Sequence, residues 1–210
     1  MGKVIAFSNQ KGGSGKSTLS ANIAVLWSNS GYKVALIDAD PQKSLTYWFS
    51  ERKKYYGEND VGIDFYEFDI RNLPEEIKKI KRKYDFILID SPPSITFDTI
   101  QILKASDRVF VPVQPSPLDL MATIPFLNLA KQERKSPVIF LNRVMPRARL
   151  TDAMILRLRY AGAKIARSRI SSKVLFAETF SVGRGVVDIS VTSDASKEII
   201  NVGNEILRNL

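Results

Sequence analysis

Two lysines and four small residues stand together in Lys11-Gly12-Gly13-Ser14-Gly15-Lys16-Ser17-Thr18. Their order suggests a cradle for phosphate. Glycines let successive backbone N–H groups turn inward around an anion. Directly after them, Lys16 is placed to reach the β and γ phosphates of a nucleotide, Ser17 to ligate Mg²⁺ and Thr18 to meet the α-phosphate. The strict spacing Gly-x4-Gly-Lys-[Ser/Thr] asks for glycine at position 10, where Gln10 stands. The motif is therefore a variant, with a second lysine, Lys11, at its head.

Two carboxylate segments accompany it, Asp38-Ala39-Asp40-Pro41-Gln42 and Ile89-Asp90-Ser91-Pro92-Pro93, each closing an apolar run. Ligands of open parallel sheets bind beyond the carboxyl ends of the strands, so all three motifs can meet one Mg–nucleotide. That placement requires strands before the motifs and helices after them. Strands are expected at Val4–Ser8, Lys33–Asp38, Ile63–Phe68, Phe86–Asp90, Arg108–Val113, Val138–Asn142 and Lys164–Ile170. Helices are expected at Lys16–Ser30, Pro41–Ser50, Leu73–Lys83, Phe97–Ala105, Asp119–Lys131, Thr151–Ala161 and Ser193–Leu210, with Gly31 as a left-handed cap after the first. Thr151-Asp152 reads as an N-cap and Glu51–Asp60 as a polar surface connection. Strands apolar throughout, such as Phe86-Ile87-Leu88-Ile89, are buried on both faces. The alternation predicts an α/β fold, a doubly wound and mostly parallel sheet with helices on both faces, spanning 1–210 as a single domain.

Composition narrows the chemistry. The 210 residues include no His and no Cys, which excludes disulfides, thiolate nucleophiles, Cys/His zinc sites, iron–sulfur ligation and serine–histidine hydrolysis. Catalysis must run on carboxylates, lysine, arginine, hydroxyls and an oxygen-bound cation. No apolar run nears the ~20 residues that cross a bilayer, and Met1-Gly2-Lys3 leads into only four apolar residues. A cytoplasmic protein is expected.

The loop, the DADPQ segment, the IDSPP segment and Val111-Pro112-Val113-Gln114-Pro115-Ser116-Pro117-Leu118-Asp119 together resemble the ParA/MinD family of deviant-Walker ATPases, and most of all its small ParA-type, ParF-like partition members. The resemblance spans essentially the whole chain. It implies a P-loop NTPase fold of the SIMIBI type that binds ATP and ADP with Mg²⁺ and dimerises when ATP-bound. By resemblance, Lys11 is the signature lysine that reaches the partner subunit's phosphates. Asp40 positions or activates the attacking water, and Asp38 and Asp90 serve the Mg²⁺ ion. Asn142, followed by Arg143, occupies the position that reads the adenine edge, and Pro112–Pro117 lines the nucleotide and dimer interface. A cation supplied in trans ties phosphoryl transfer to dimerisation.

Charge is unevenly placed. The chain carries a net +9, while Lys131–Lys173 alone holds 12 basic and 2 acidic residues. Few aromatics interrupt this segment, which favours the backbone of duplex DNA over stacked single strands. Candidate contacts are Arg157, Arg159, Arg167, Arg169 and Lys173, and a nucleoid association follows from them. The resemblance adds a small ParB-type or centromere-binding partner that stimulates hydrolysis. A MinD-like membrane cycle is the rival within the family. However, Lys197 and Arg208 in the last helix are balanced by Glu198 and Glu205, so its apolar stripe is expected to pack on the core. Positioning of another cargo, a small-molecule kinase or ligase, and a non-hydrolysing switch are the remaining alternatives.

Overall fold

The computed structural model describes residues 2–57, 61–145 and 149–210. Seven parallel strands among them form one sheet: β1 Lys3–Phe7, β2 Val34–Asp38, β3 Asp64–Tyr66, β4 Phe86–Asp90, β5 Arg108–Val113, β6 Val138–Val144 and β7 Lys164–Ser171. Their order is β3-β2-β4-β1-β5-β6-β7. The chain builds one half of the sheet, then crosses β1 to build the other. The loop after β1 therefore opens where the winding reverses, the usual ligand crevice of such sheets.

Helices cover both faces: α1 Lys16–Asn29, α2 Ser44–Tyr56, α3 Leu73–Ile80, α4 Phe97–Ala105, α5 Pro117–Gln132, α6 Arg149–Tyr160, α7 Leu175–Ser181, the single turn α8 Val186–Ile189, and α9 Asp194–Arg208. Alternation along β1 divides the core. Ile5 and Phe7 join Leu36, Phe110 and Phe140 under α1 and α9, whereas Val4 and Ala6 join Ile37, Ile87 and Ile89 under α3 and α4. A third apolar cluster packs α5 and α6 on β5 and β6 through Phe126, Met154 and Leu158. Burial on both faces is why these strands read as unbroken apolar runs.

The expected cap after α1 is present: Gly31 has φ +87°, and Tyr32 N–H returns to the Trp27 carbonyl at 3.0 Å. The stripe on α9 packs on the core, with Ile199, Val202 and Ile206 buried. Its glutamates do more than balance charge. Glu205 accepts the Arg167 and Ser168 amides and Glu198 the Ser171 amide, all at 2.7–3.0 Å. These bonds close the exposed edge of β7. Burial raises the Glu205 pKa, but the Arg167 and Ser168 amides, the Ser168 hydroxyl and the Arg208 charge together outweigh it and hold the carboxyl below its usual value. No helix among the described residues is long and apolar enough to cross a membrane.

Several boundaries differ from expectation. α2 starts at Ser44 because Lys43, at φ +54°, ends a turn bonded back to the Asp40 carbonyl. It continues to Tyr56, into the stretch read as a surface connection; residues 58–60 lie outside the described ones. The reason is Arg52, whose guanidinium is buried. It donates to Asp188 at 2.9 Å and to the Val61 and Gly183 carbonyls at 3.1 and 3.2 Å, and it lies over the rings of Trp48 and Tyr56. α3 stops at Ile80, leaving Lys81 to pair with Asp107 at 2.8 Å. α6 begins at Arg149, ahead of the expected cap at Thr151, and α7 and α8 had no counterpart in the sequence reading. Removing one member of a buried ion pair strands the other. Arg52→Ala should therefore lower stability by about 3 kcal/mol in urea unfolding, and a loss below about 1 kcal/mol would show that the pair is not structural.

Candidate nucleotide site

The phosphate loop leaves β1 held from both sides. The Ser8 hydroxyl accepts from Ser91 at 2.8 Å, and Asn9 Nδ2 donates to the Pro112 carbonyl at 2.7 Å. Gln114 Nε2 holds the Gly13 carbonyl at 2.8 Å, and Asn142 Nδ2 holds that of Ser14 at 2.7 Å. Gly13 and Gly15 stand at φ +73° and +98°, which only glycine adopts without strain. α1 begins at once with Lys16, and its first turn carries no acidic residue and no side-chain cap. The partial positive charge of its first amides is left for an anion. Lys16 is buried, its Nζ 3.5 Å from the Lys11 carbonyl. Burial lowers its pKa, opposed by the charges of Asp90 and Asp40.

The carboxylates stand where the strands end. Asp38 and Asp90 are register partners across β2 and β4, and Phe7 pairs with Asp90 across β1 and β4. Asp38 is held by three bonds: Oδ2 accepts both the amide and hydroxyl of Thr46 at 2.8 Å, and Oδ1 accepts the Asp40 amide at 3.0 Å. Asp40 accepts the Gln42 amide at 2.9 Å. Asp90 is wholly buried, and neither of its carboxylate oxygens has a hydrogen-bond partner. Burial pushes its pKa up to about 8, the charges of Asp38 and Asp40 adding to the rise and that of Lys16 opposing it. Buried oxygens left without donors fit a hydrated cation. Among the described residues no three carboxylates cluster as a metal cage. The site thus suits Mg²⁺, which commonly takes one or two protein oxygens with phosphates and keeps its waters.

Lys11 does not point into open solvent. Its ammonium is paired with Asp119 in the first turn of α5. Asp119 is fully buried, and it also accepts the Ser116 hydroxyl at 2.5 Å and the Gln114 amide at 3.4 Å. Beyond Gly15 and Thr18 a cavity of about 730 Å³ opens, walled by Leu19, Ile170, Phe176 and Phe180 and edged by Lys43, Ser44, Tyr47, Arg143 and Ser171. It is sized for a nucleoside. Asn142 and Arg143 are among the residues that line it, and Arg143 adopts φ +52°.

The structure thus gathers Lys11 through Thr18, Asp38, Asp40, Asp90, Asn142 and Arg143 at one end of the sheet. Lys173 belongs to the cavity wall instead, paired with Glu198. Arg157 and Arg159 are exposed on α6, while Arg167 and Arg169 are exposed on one face of β7. Sequence reasoning missed the parts played by Thr46, Gln114 and Asp119. Ser116-x-x-Asp119 does carry a capping-box signature, which places Asp119 at a helix start but says nothing of Lys11.

Residues 5–186 match the family described as the CobQ/CobB/MinD/ParA nucleotide binding domain. The chain belongs to this family. It is 29% identical over 97% of its length to the maintenance of carboxysome distribution protein A of Halothiobacillus neapolitanus, covering 95% of that protein. To the chromosome-partitioning ATPase Soj of Thermus thermophilus it is 27% identical, over 97% of this chain and 94% of that one. Among solved structures, the septum site-determining protein MinD of Pyrococcus horikoshii, complexed with Mg-ADP, superposes with a TM-score of 0.80 at 21% identity, covering 98% of this chain and 96% of that one. The family's α/β P-loop fold is the one described above.

In this family member the burial of Asp90 has a thermodynamic consequence. The folded chain keeps that proton up to about pH 8, whereas an ordinary aspartate releases it near 3.8. Between those values the folded state binds more protons than the unfolded one, so stability falls as pH rises. Thermal unfolding of the nucleotide-free protein should show that decline. Asp90→Asn should flatten it and unfold about 5 °C higher at pH 8. Superimposable profiles for the two proteins would contradict the assignment.

Proposed function

We propose that residues 1–210 act as one Mg²⁺-dependent ATPase domain whose ATP-bound homodimer holds non-specific duplex DNA and whose hydrolysis releases it. The observation that carries this reading is the pairing of two lysines with one phosphate loop. Lys16 is buried beneath the loop, and Lys11 stands at its head on a carboxylate outside it. A kinase needs only the first; a lysine parked beside the site suits a charge lent to a second subunit. In this reading Gly12 through Thr18 cradle the phosphates, and Ser17, Asp38 and Asp90 serve Mg²⁺, which neutralises charge on the phosphates when bound. Asp40 orients the attacking water, and Lys11 stabilises charge on the partner's γ-phosphoryl oxygens. A small ParB-type partner would accelerate turnover, and the protein would act in the cytoplasm on the nucleoid.

The task proposed is distributing a plasmid or chromosome copy, as the name of the Thermus relative suggests. The name of the Halothiobacillus relative supports a second reading, positioning of a large protein assembly. Arg157, Arg159, Arg167 and Arg169 support DNA contact in both. Lys173, already neutralised by Glu198, is the weakest of the five candidates.

DNA retention measured with ATP, ADP and no nucleotide tests the reading. Binding is expected with ATP only. With about six phosphates neutralised per dimer, log K should fall against log salt with a slope of about −5. Asp40→Ala should hold DNA with ATP while losing at least about 100-fold in turnover. Equal binding in all three nucleotide states, or full ATPase activity in Asp40→Ala, would refute it.

A further inference from the structure

Helix α2 starts without a cap of its own. Lys43 stands at its N-cap with no oxygen to offer, and the first turn holds no acidic residue. The cap comes from β2 instead. Asp38 Oδ2 accepts the amide of Thr46, the third helical residue, at 2.8 Å, the bond an N-cap side chain ordinarily makes. The positive end of the helix dipole thus falls on a buried carboxylate. Between the two, the chain reverses at Lys43, whose φ of +54° is strained for a residue other than glycine. The Lys43 amide closes that turn on the Asp40 carbonyl at 2.9 Å.

The Thr46 hydroxyl adds a second bond to the same oxygen, at 2.8 Å. It also lies 3.1 Å from Glu67 Oε1, yet a hydroxyl has one proton to give. Burial decides which carboxylate receives it. Asp38 is 2% exposed, and a buried anion loses more without a donor than one in water. Glu67 is half-exposed, with the Lys43 ammonium 3.6 Å away. Of the roughly four acceptor sites of a carboxylate, Thr46 fills two on Oδ2 and the Asp40 amide one on Oδ1. One site remains, on Oδ1. Asp90, the register partner of Asp38, has neither oxygen engaged. The two aspartates therefore differ in kind: one offers unengaged oxygens, the other a single acceptor in a fixed direction.

We propose that Thr46 is a positioning residue for the cation site, locking Asp38 so that only Oδ1 is open to hydrated Mg²⁺. Without the hydroxyl, Oδ2 gains a free acceptor site and the carboxylate loses its single direction. The same lock reaches the Asp40 segment, because Oδ1 also holds the Asp40 amide at 3.0 Å. Thr46 acts through Asp38 and touches neither nucleotide nor metal in this role. The inference rests on the Mg–nucleotide reading and deepens it.

Calorimetric affinity for a slowly hydrolysed ATP analogue, measured with Mg²⁺ and again with EDTA, isolates the cation's share. The wild type should bind more tightly with Mg²⁺. Thr46→Val keeps the amide and loses the hydroxyl, so that gain should shrink by about tenfold while the affinity in EDTA stays unchanged. Thr46→Ser returns the hydroxyl and should restore the gain. Glu67→Gln should leave the gain at its wild-type value, because the hydroxyl serves Asp38. The wild type supplies a readout that needs no variant: with the analogue bound in EDTA, excess Mg²⁺ should shift the Thr46 amide resonance. An undiminished gain in Thr46→Val, equal losses with Mg²⁺ and EDTA, or no recovery in Thr46→Ser would overturn the proposal. So would a gain that collapses in Glu67→Gln, or a Thr46 resonance indifferent to Mg²⁺. A wild type that does not bind the analogue, or binds it equally with and without Mg²⁺, would overturn the Mg–nucleotide reading together with it.

Discussion

The Asp119 carboxylate is fully buried, and Lys11 is the cation paired with it. A charge taken out of water must be compensated or it costs several kcal/mol, so Lys11 cannot simply swing free. In the cycle proposed above, its alternative partner is the higher negative charge of a triphosphate. Three features lower the cost of such an exchange. Asp119 lies in the first turn of α5, where the helix dipole favours an anion, and it keeps the Ser116 hydroxyl and the Gln114 amide as donors. Gln114 also holds Gly13, so the carboxylate that pairs with Lys11 and the glycine loop share a strut.

The rest of the fold braces the surroundings of the loop. The first turn of α2 grips Asp38 through Thr46, and the same helix edges the cavity at Ser44 and Tyr47. Its far half is pinned by Arg52 to Asp188 and to the Gly183 carbonyl. The backbone there passes so close that a Cβ on Gly183 would lie 2.0 Å from the Arg52 nitrogen. α7, just before this turn, supplies Phe176 and Phe180 to the cavity wall. Asp38 and the cavity walls are thus carried by elements that one buried guanidinium ties together, while Lys11 remains a third exposed.

Much of this was legible in the chain itself. Unbroken apolar runs located β4 and β5 to the residue, because strands buried on both faces carry no competing pattern. The phosphate loop and the aspartates could be read because glycine, lysine and carboxylate at strand ends have few other uses in that order. Boundaries failed where tertiary contacts decide them. The polar run after Ser50 is helical because Arg52 finds Asp188 more than a hundred residues away, and α7 is short, so no helical period had room to show. The partner of Lys173, Glu198, was equally hidden, since only folding brings α9 to it. The same limit hid Asp119: a capping signature describes a helix start, and only folding brings Lys11 to it.

The central claim is that the charge of Lys11, released from Asp119, completes a nucleotide site in a second copy of the chain. Light scattering with a slowly hydrolysed ATP analogue tests it most directly, on the wild-type protein and on Lys11→Ala. The wild type should double from its 23.6 kDa mass only when the analogue is present, and Lys11→Ala should bind the analogue yet stay single. A wild type that remains single with analogue bound, or a Lys11→Ala protein that doubles equally well, would contradict it.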